Sequence, residues 1–197
     1  DSLERMGSAG AAEEAFAALA ARAGDAARTA EALLRLASLR ERRSANEDAV
    51  ADYGRVIAMA TNGIQIGQAY LGRGRAHQRS YRFDAAIEDF TQARAYHPGV
   101  APEADYFRVM ALYGAGRDEE AWLLCQGFAE THPGAPQLAD ATLWMAKYSY
   151  NRGNFEDAQH RFVAFAGNWP TNTWSDAALL WAGRAALHRS EYPAVIE

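Results

Sequence analysis

The run Ala86-Ile87-Glu88-Asp89-Phe90, with Gly74 twelve residues before its first alanine and Pro98 twelve residues after it, decides how the chain is read. An alanine followed four residues later by an aromatic places both on one face of a helix. A small residue upstream lets a second helix approach that face closely. A proline downstream ends the helix, because it lacks an N–H and clashes with the preceding turn. The stretch therefore predicts two antiparallel helices joined by a short turn.

The same spacing recurs along the chain. The alanine slot is filled by Ala12, Ala49, Ala86, Ala121 and Ala158, with Val195 in a sixth place, at intervals of 37, 37, 35, 37 and 37 residues. Four residues after these alanines stand Phe16, Tyr53, Phe90, Cys125 and Phe162, and twelve before the last five slots stand Ala37, Gly74, Val109, Ala146 and Gly183. Pro98, Pro133 and Pro170 close three of the units. Registers kept in step in this way define an internal repeat of helix pairs. Local signals agree: Gly116-Arg117-Asp118 and Gly153-Asn154 read as turns, Ser44-Ala45-Asn46-Glu47 as a capping box, and Thr61-Asn62-Gly63 as a helix stop. No stretch carries the alternating β-branched pattern of strands, so the chain is expected to be all-α.

With these positions in place, the chain resembles the tetratricopeptide repeat family. The stretch from Tyr70 to Pro98 carries Gly74, Phe83, Ala86, Phe90, Ala93 and Pro98 in family register. The likeness covers roughly residues 10–197 and is strongest from residue 67 onward. The chain departs from the pattern at Val195, at Cys125, and in a period of mostly 37 residues rather than about 34. The resemblance implies a right-handed solenoid of about five stacked antiparallel helix pairs with incomplete ends. One repeat domain over 10–197 is expected, preceded by a linker or remnant at 1–9. Residues 10–23 would supply only a second helix, and 191–197 would begin another. A narrower likeness rests on Trp144, Tyr150-Asn151-Arg152-Gly153, Ala158, Phe162, Trp169-Pro170 and Trp181. These resemble repeats of bacterial cell-envelope proteins, namely the Tol-Pal-associated cell-division coordinator and outer-membrane assembly lipoproteins. That likeness implies an envelope or periplasmic location, with the cytoplasm as the alternative.

Composition narrows the function. The chain has 197 residues, 49% hydrophobic and 23% charged, with a net charge of −5 and one cysteine. The mild acidity disfavours nucleic-acid binding, which normally shows a basic surplus. No apolar run approaches the ~18 residues of a membrane span, so membrane association is expected to be indirect only. A single cysteine excludes an internal disulfide framework and a cysteine-rich zinc site. There is no glycine-rich phosphate loop, no nucleophile elbow and no His-x-x-x-His pair. Glu13-Glu14, Glu119-Glu120 and Glu156-Asp157 suit the starts of second helices, where acids complement the helix dipole. His97 and His132 precede closing prolines and read as turn residues, and Cys125 reads as a buried structural thiol. The chain is expected to be no enzyme, with no cofactor, metal or small-molecule substrate.

The binding expectation follows from the resemblance, which implies that first helices line a concave groove. Two slots, eleven and seven residues before each alanine, lie four apart and so share one helix face. The first slot reads Ser38, Arg75, Met110, Lys147 and Arg184, and the second reads Arg42, Arg79, Gly114, Asn151 and His188. Five of these ten positions are Arg or Lys and none is acidic, in a chain of net charge −5. With Tyr113 and Tyr150 nearby, the row Arg42, Arg75, Arg79, Met110, Tyr113, Lys147, Tyr150, Asn151, Arg184 and His188 is the expected groove. It suits an extended acidic peptide or chain terminus, held by charge-assisted hydrogen bonds. A solvated groove kept soluble by arginine is the plainer reading. Trp144 and Trp181 read as packing between repeats, and Trp174 as open to a partner. The expected role is a protein-interaction scaffold. The alternatives are a structural subunit docking through its convex face or self-associating through open repeat ends, and an accessory domain of a longer protein.

Overall fold

A computed structural model describes the backbone of residues 2–22 and 24–191, and the side chains of 10–22 and 24–189. Val195, the sixth slot of the repeat, lies outside the described residues. Among the described residues there is no strand. The helices are α1 (Ser2–Arg22), α2 (Ala26–Arg42), α3 (Asn46–Met59), α4 (Gly63–Arg79), α5 (Phe83–Tyr96), α6 (Ala101–Gly114), α7 (Asp118–Gln126), α8 (Phe128–Thr131), α9 (Leu138–Asn151), α10 (Phe155–Asn168) and α11 (Ser175–Glu191). They pack as two compact units, residues 1–121 and 122–197, where the sequence suggests one array; the division falls within α7. The backbone of α1 is helical from Ser2, through the segment read as a linker.

In the first unit, consecutive helices from α1 to α6 pack on one another. The repeat alanines Ala49 and Ala86 have no exposed surface and stand on the second helices α3 and α5. Tyr53 and Phe90, one turn on, are equally buried. The small residues opposite them are needed for close approach. A Cβ on Gly74 would stand 2.6 Å from Phe90 Cε1, and one on Gly72 would stand 2.2 Å from Tyr53 Cζ. Phe90 stacks on Phe107 of α6 with ring centroids 5.7 Å apart, which carries the core into the next first helix. The second unit repeats the plan with α9, α10 and α11. Ala158 and Phe162 of α10 are fully buried among Leu143, Ala146, Ala178 and Ala182. The prolines act as expected: α5, α8 and α10 each stop two residues before Pro98, Pro133 and Pro170.

Two local readings are corrected. Ser44 does not cap α3; its φ is +62°, and the N-cap is Ala45, which makes no side-chain capping bond. Glu47, the expected partner in the box, instead pairs with Arg82. Asn62 does not end α3, which has already closed at Met59. Its side chain caps the next helix by accepting from the Ile64 N–H at 2.9 Å. The turns also carry a register that the residue types conceal. Ser44, Tyr81, Gly116 and Gly153 each lie five residues before a repeat alanine, and all have φ between +58° and +77°. The left-handed turn is therefore a feature of each helix pair, adopted without strain at the two glycines and against Cβ sterics at Ser44 and Tyr81. Ser44→Gly is expected to raise stability by about 0.5–1 kcal/mol in denaturant unfolding, and Gly153→Ala to lower it.

Candidate functional site

The expected groove row lies on α2, α4 and α6 in the first unit and on α9 and α11 in the second. Geometry divides its cations into two kinds. In the first unit the centre is Glu41 of α2, only 4% exposed and absent from the row read in the sequence. A carboxylate removed from water must be answered by charge or hydrogen bonds. Arg75 donates from Nε at 3.0 Å and from Nη2 at 3.2 Å to the two Glu41 carboxylate oxygens. Its Nη1 donates to Glu103 of α6 at 2.7 Å. Arg79 donates to the Glu41 backbone carbonyl at 3.0 Å and reaches its carboxylate at 3.1 Å. The Tyr53 hydroxyl donates to the same acid at 3.1 Å, and burial with this anionic neighbour pushes the phenol well above its ordinary pKa. Burial works against the Arg75 charge, but the bonds to Glu41 outweigh it and raise the guanidinium further.

Arg75 thus ties three first helices together, and Arg79, its side chain about half exposed, adds a second link between two of them. A signal for this was present: Glu41 occupies a slot that the other repeats fill with Gln78, Tyr113, Tyr150 and Leu187, and Tyr53 is the one tyrosine in the aromatic slot. Three buried aspartates extend the pattern. Asp89 takes a two-pronged bond from Arg73 at 2.9 and 2.7 Å, Asp52 pairs with Arg40 at 2.7 Å, and Asp105 with Arg94 at 2.8 Å. Arg42 and Tyr113 are exposed and Met110 is half-buried. Gly114 is a packing notch, where a Cβ would stand 2.5 Å from Phe83 Cε1.

The second unit differs. Lys147 and Arg184 are exposed and, among the described residues, form no ion pair with a carboxylate. Each lies on an indole: Lys147 Nζ sits 5.0 Å from the Trp174 ring centre, and the Arg184 guanidinium 4.9 Å from that of Trp181. Trp174 is itself 53% exposed, and Asn151 is exposed one turn after Lys147. Tyr150 and His188 belong to an aromatic cluster. His188 stacks on Phe155 at 4.7 Å, and Tyr150 meets Trp181 edge-on at 5.0 Å. Trp181 also stacks on Phe162, and Trp144 and Trp122 each stack on Tyr148, at 5.2 and 5.1 Å.

Catalytic candidates find structural roles. Cys125 is buried, its thiol directed at the Ala141 carbonyl 3.5 Å away, and burial pushes its pKa up to about 12. That thiol is no nucleophile at neutral pH. His77 lies 3.8 Å from Asp89, and burial outweighs that neighbour to hold its pKa low. His97 and His132 close α5 and α8 as C-caps. No group of three metal-ligating side chains occurs among the described residues, and none of their helices is long and apolar enough to cross a membrane.

The two kinds of cation should separate on mutation. Glu41→Ala leaves half-buried Arg75 without its main partner and the Tyr53 hydroxyl without its acceptor, and is expected to cost about 2–3 kcal/mol in urea unfolding. Arg184→Ala, at an exposed site without a carboxylate, is expected to stay within about 0.5 kcal/mol of the parent.

Comparison with known proteins agrees with this architecture. The family model described as "Tetratricopeptide repeat" matches residues 71–136 and 145–194, more than half of the chain. No curated protein matches it by sequence. Among solved structures, a tetratricopeptide repeat protein from Parabacteroides merdae superposes with a TM-score of 0.70 at 17% identity, over 99% of this chain and 75% of that one. MamA superposes with a TM-score of 0.62 at 17% identity, over 98% of this chain and 96% of that one. YrrB, described as a TPR protein with an unusual peptide-binding site, gives 0.59 at 17% identity, over 81% and 77% of the two chains. At such identities the likeness is one of fold. With helix pairs, repeat register and family model in agreement, the chain belongs to the tetratricopeptide repeat family.

Proposed function

We propose that the chain is a non-enzymatic protein-interaction scaffold that holds an acidic segment of a partner on the first helices of its second unit. Lys147, Asn151 and Arg184 are the anchors. The observation that carries this reading is the exposure of Lys147 and Arg184 on indole rings without a carboxylate partner among the described residues, against the two-pronged bond that holds Arg75 on Glu41. An indole face attracts a cation and limits where its side chain wanders, so less ordering is demanded when an acidic group arrives. Lys147 and Arg184 occupy the same slot one repeat apart, which suits an extended segment with acids spaced along it. Asn151 adds a neutral donor and acceptor beside Lys147. Protein and peptide binding is the general work of this family, and the description of YrrB supplies a peptide-binding case on a related fold.

A second reading, a structural subunit that docks through α11, has one observation in its favour. Leu179, Leu180 and Leu187 of that helix are each more than half exposed. The two readings respond differently to salt, since exposed charges are screened and apolar contacts are not.

Fluorescence anisotropy with a labelled Glu-rich octapeptide tests the first. The intact chain is expected to bind it, with affinity falling as salt is added, and to bind the Gln-rich equivalent far more weakly. The double variant K147E/R184E is expected to lose at least about tenfold in affinity, or 1.4 kcal/mol, with unchanged helical content. Equal binding by the parent and the folded variant would overturn the assignment. Salt-insensitive self-association by ultracentrifugation, relieved by L180E/L187E, would instead favour the structural reading.

A further inference from the structure

A different place in the second unit is built to take a ligand. Cys125 fills a slot that Tyr53, Phe90 and Phe162 fill in other repeats, so a thiol stands where a ring is the rule. Just beyond it the second helix breaks, α7 ending at Gln126 and α8 beginning at Phe128. Beside this break lies a cavity of about 310 Å³, walled by Cys125, Phe128, Leu138 and Met145, with Thr142 and Arg161 at its polar side. We propose that this cavity binds a small single-ring aryl carboxylate. The site shares no residue with the acidic-segment surface and departs from the expectation that no small molecule is bound.

Size comes first. An engineered apolar cavity of roughly 150 Å³ accepts benzene, so twice that space takes a ring with a short substituent. The aromatic slot supplies the shape. Where the repeat carries Phe90 or Phe162, the ring is fully buried; with Cys125, aromatic surface can come from a ligand.

The carboxylate follows from Arg161. Its Nε donates to Asp157 at 2.6 Å, and its guanidinium lies over the Trp122 ring at 5.0 Å. Its Nη1 has Met145 Sδ as acceptor, at 3.9 Å. A thioether is a poor acceptor for a guanidinium donor, and Met145 is part of the cavity wall. A ligand oxygen entering there would replace the sulfur with a charge-assisted hydrogen bond. Engagement with Asp157 does not exhaust the guanidinium. Arg75 of this same chain serves two carboxylates, Glu41 and Glu103, at once. A cationic ligand would meet Arg161 unfavourably. The Cys125 side chain belongs to the apolar part of the wall.

Methionine-methyl NMR tests the proposal on the intact chain, with phenylacetate as the probe. Met145 reports the cavity, and Met59 and Met110, in the first unit, serve as internal controls. Phenylacetate is expected to shift the Met145 methyl saturably in the low-millimolar range and to leave the controls still. Phenylacetamide and acetate should each bind about tenfold more weakly, the first lacking the charge and the second the ring. Ala129 lines the cavity from an exposed position, so Ala129→Phe should block the site and abolish the shift without unfolding the chain. Arg161→Gln should bring phenylacetate down to the affinity of phenylacetamide while leaving phenylacetamide unchanged, a split that general disruption would not produce. No saturable Met145 shift at tens of millimolar phenylacetate, or a shift that survives in Ala129→Phe, would overturn the proposal.

Discussion

An acid buried between helices has to be answered by a cation, and this constraint decides what the rest of the protein has left to offer. In the first unit Glu41, Asp52, Asp89 and Asp105 are each no more than 4% exposed. Each is met by arginine from a neighbouring helix: Arg75 with Arg79, Arg40, Arg73 and Arg94 respectively. The planar guanidinium suits this work because it reaches two oxygens in one plane and stays charged when partly buried. Arginine makes up all but one of the 20 basic residues, and much of it serves packing between helices. A basic row counted along the sequence therefore overstates the charge available to a partner.

The second unit resolves the same problem differently. Its interior relies on Phe162, Phe165 and alanines, with aromatic stacking around Tyr148 and Tyr150. Asp157 is its clearest internal acid. Burial works against that charge, but hydrogen bonds from Arg161 and Ser149 prevail and hold its pKa below the ordinary value. Because the folded pKa is lowered, this contribution to stability is present above the unfolded pKa and is lost as pH falls through the folded one. Lys147 and Arg184 have no such internal duty and rest on indoles. Two functions are thereby separated within one repeat design: arginine as a tie between helices, and cations on aromatic rings as a surface.

The fold was legible because its signals are local and periodic. Ala86 with Phe90, Gly74 opposite, and Pro98 beyond fix a helix pair within 25 residues, and the spacing carries that pair along the chain. Turns at Gly116 and Gly153 were legible because glycine advertises a positive φ. The same geometry at Ser44 and Tyr81 was not, since neither residue type signals it. The capping box failed for a related reason: its letters were present, but the left-handed turn at Ser44 displaced the start of α3 by one residue. Helical spacing put the expected row on α2, α4, α6, α9 and α11. Which of its cations are engaged was hidden, because the partners lie far away in sequence. Glu41 is 34 residues from Arg75, and Glu103 is 28. The division within α7 lies where the period shortens to 35 residues and Cys125 stands in the aromatic slot, but neither departure announces a boundary between compact units.

The central claim is that arginines identical in type and register carry different duties, and side-chain hydrogen exchange reads this residue by residue. The measurement is the exchange rate of each arginine Nε–H by ¹⁵N NMR near neutral pH, with and without added phosphate. Slow, phosphate-insensitive exchange is expected at Arg75 and Arg73, whose Nε groups are bonded to Glu41 and Asp89. Fast exchange, with a response to phosphate, is expected at Arg184. Equally fast exchange at Arg75 and Arg184 would contradict the claim, because the first unit would then hold its arginines as open to a partner as the second.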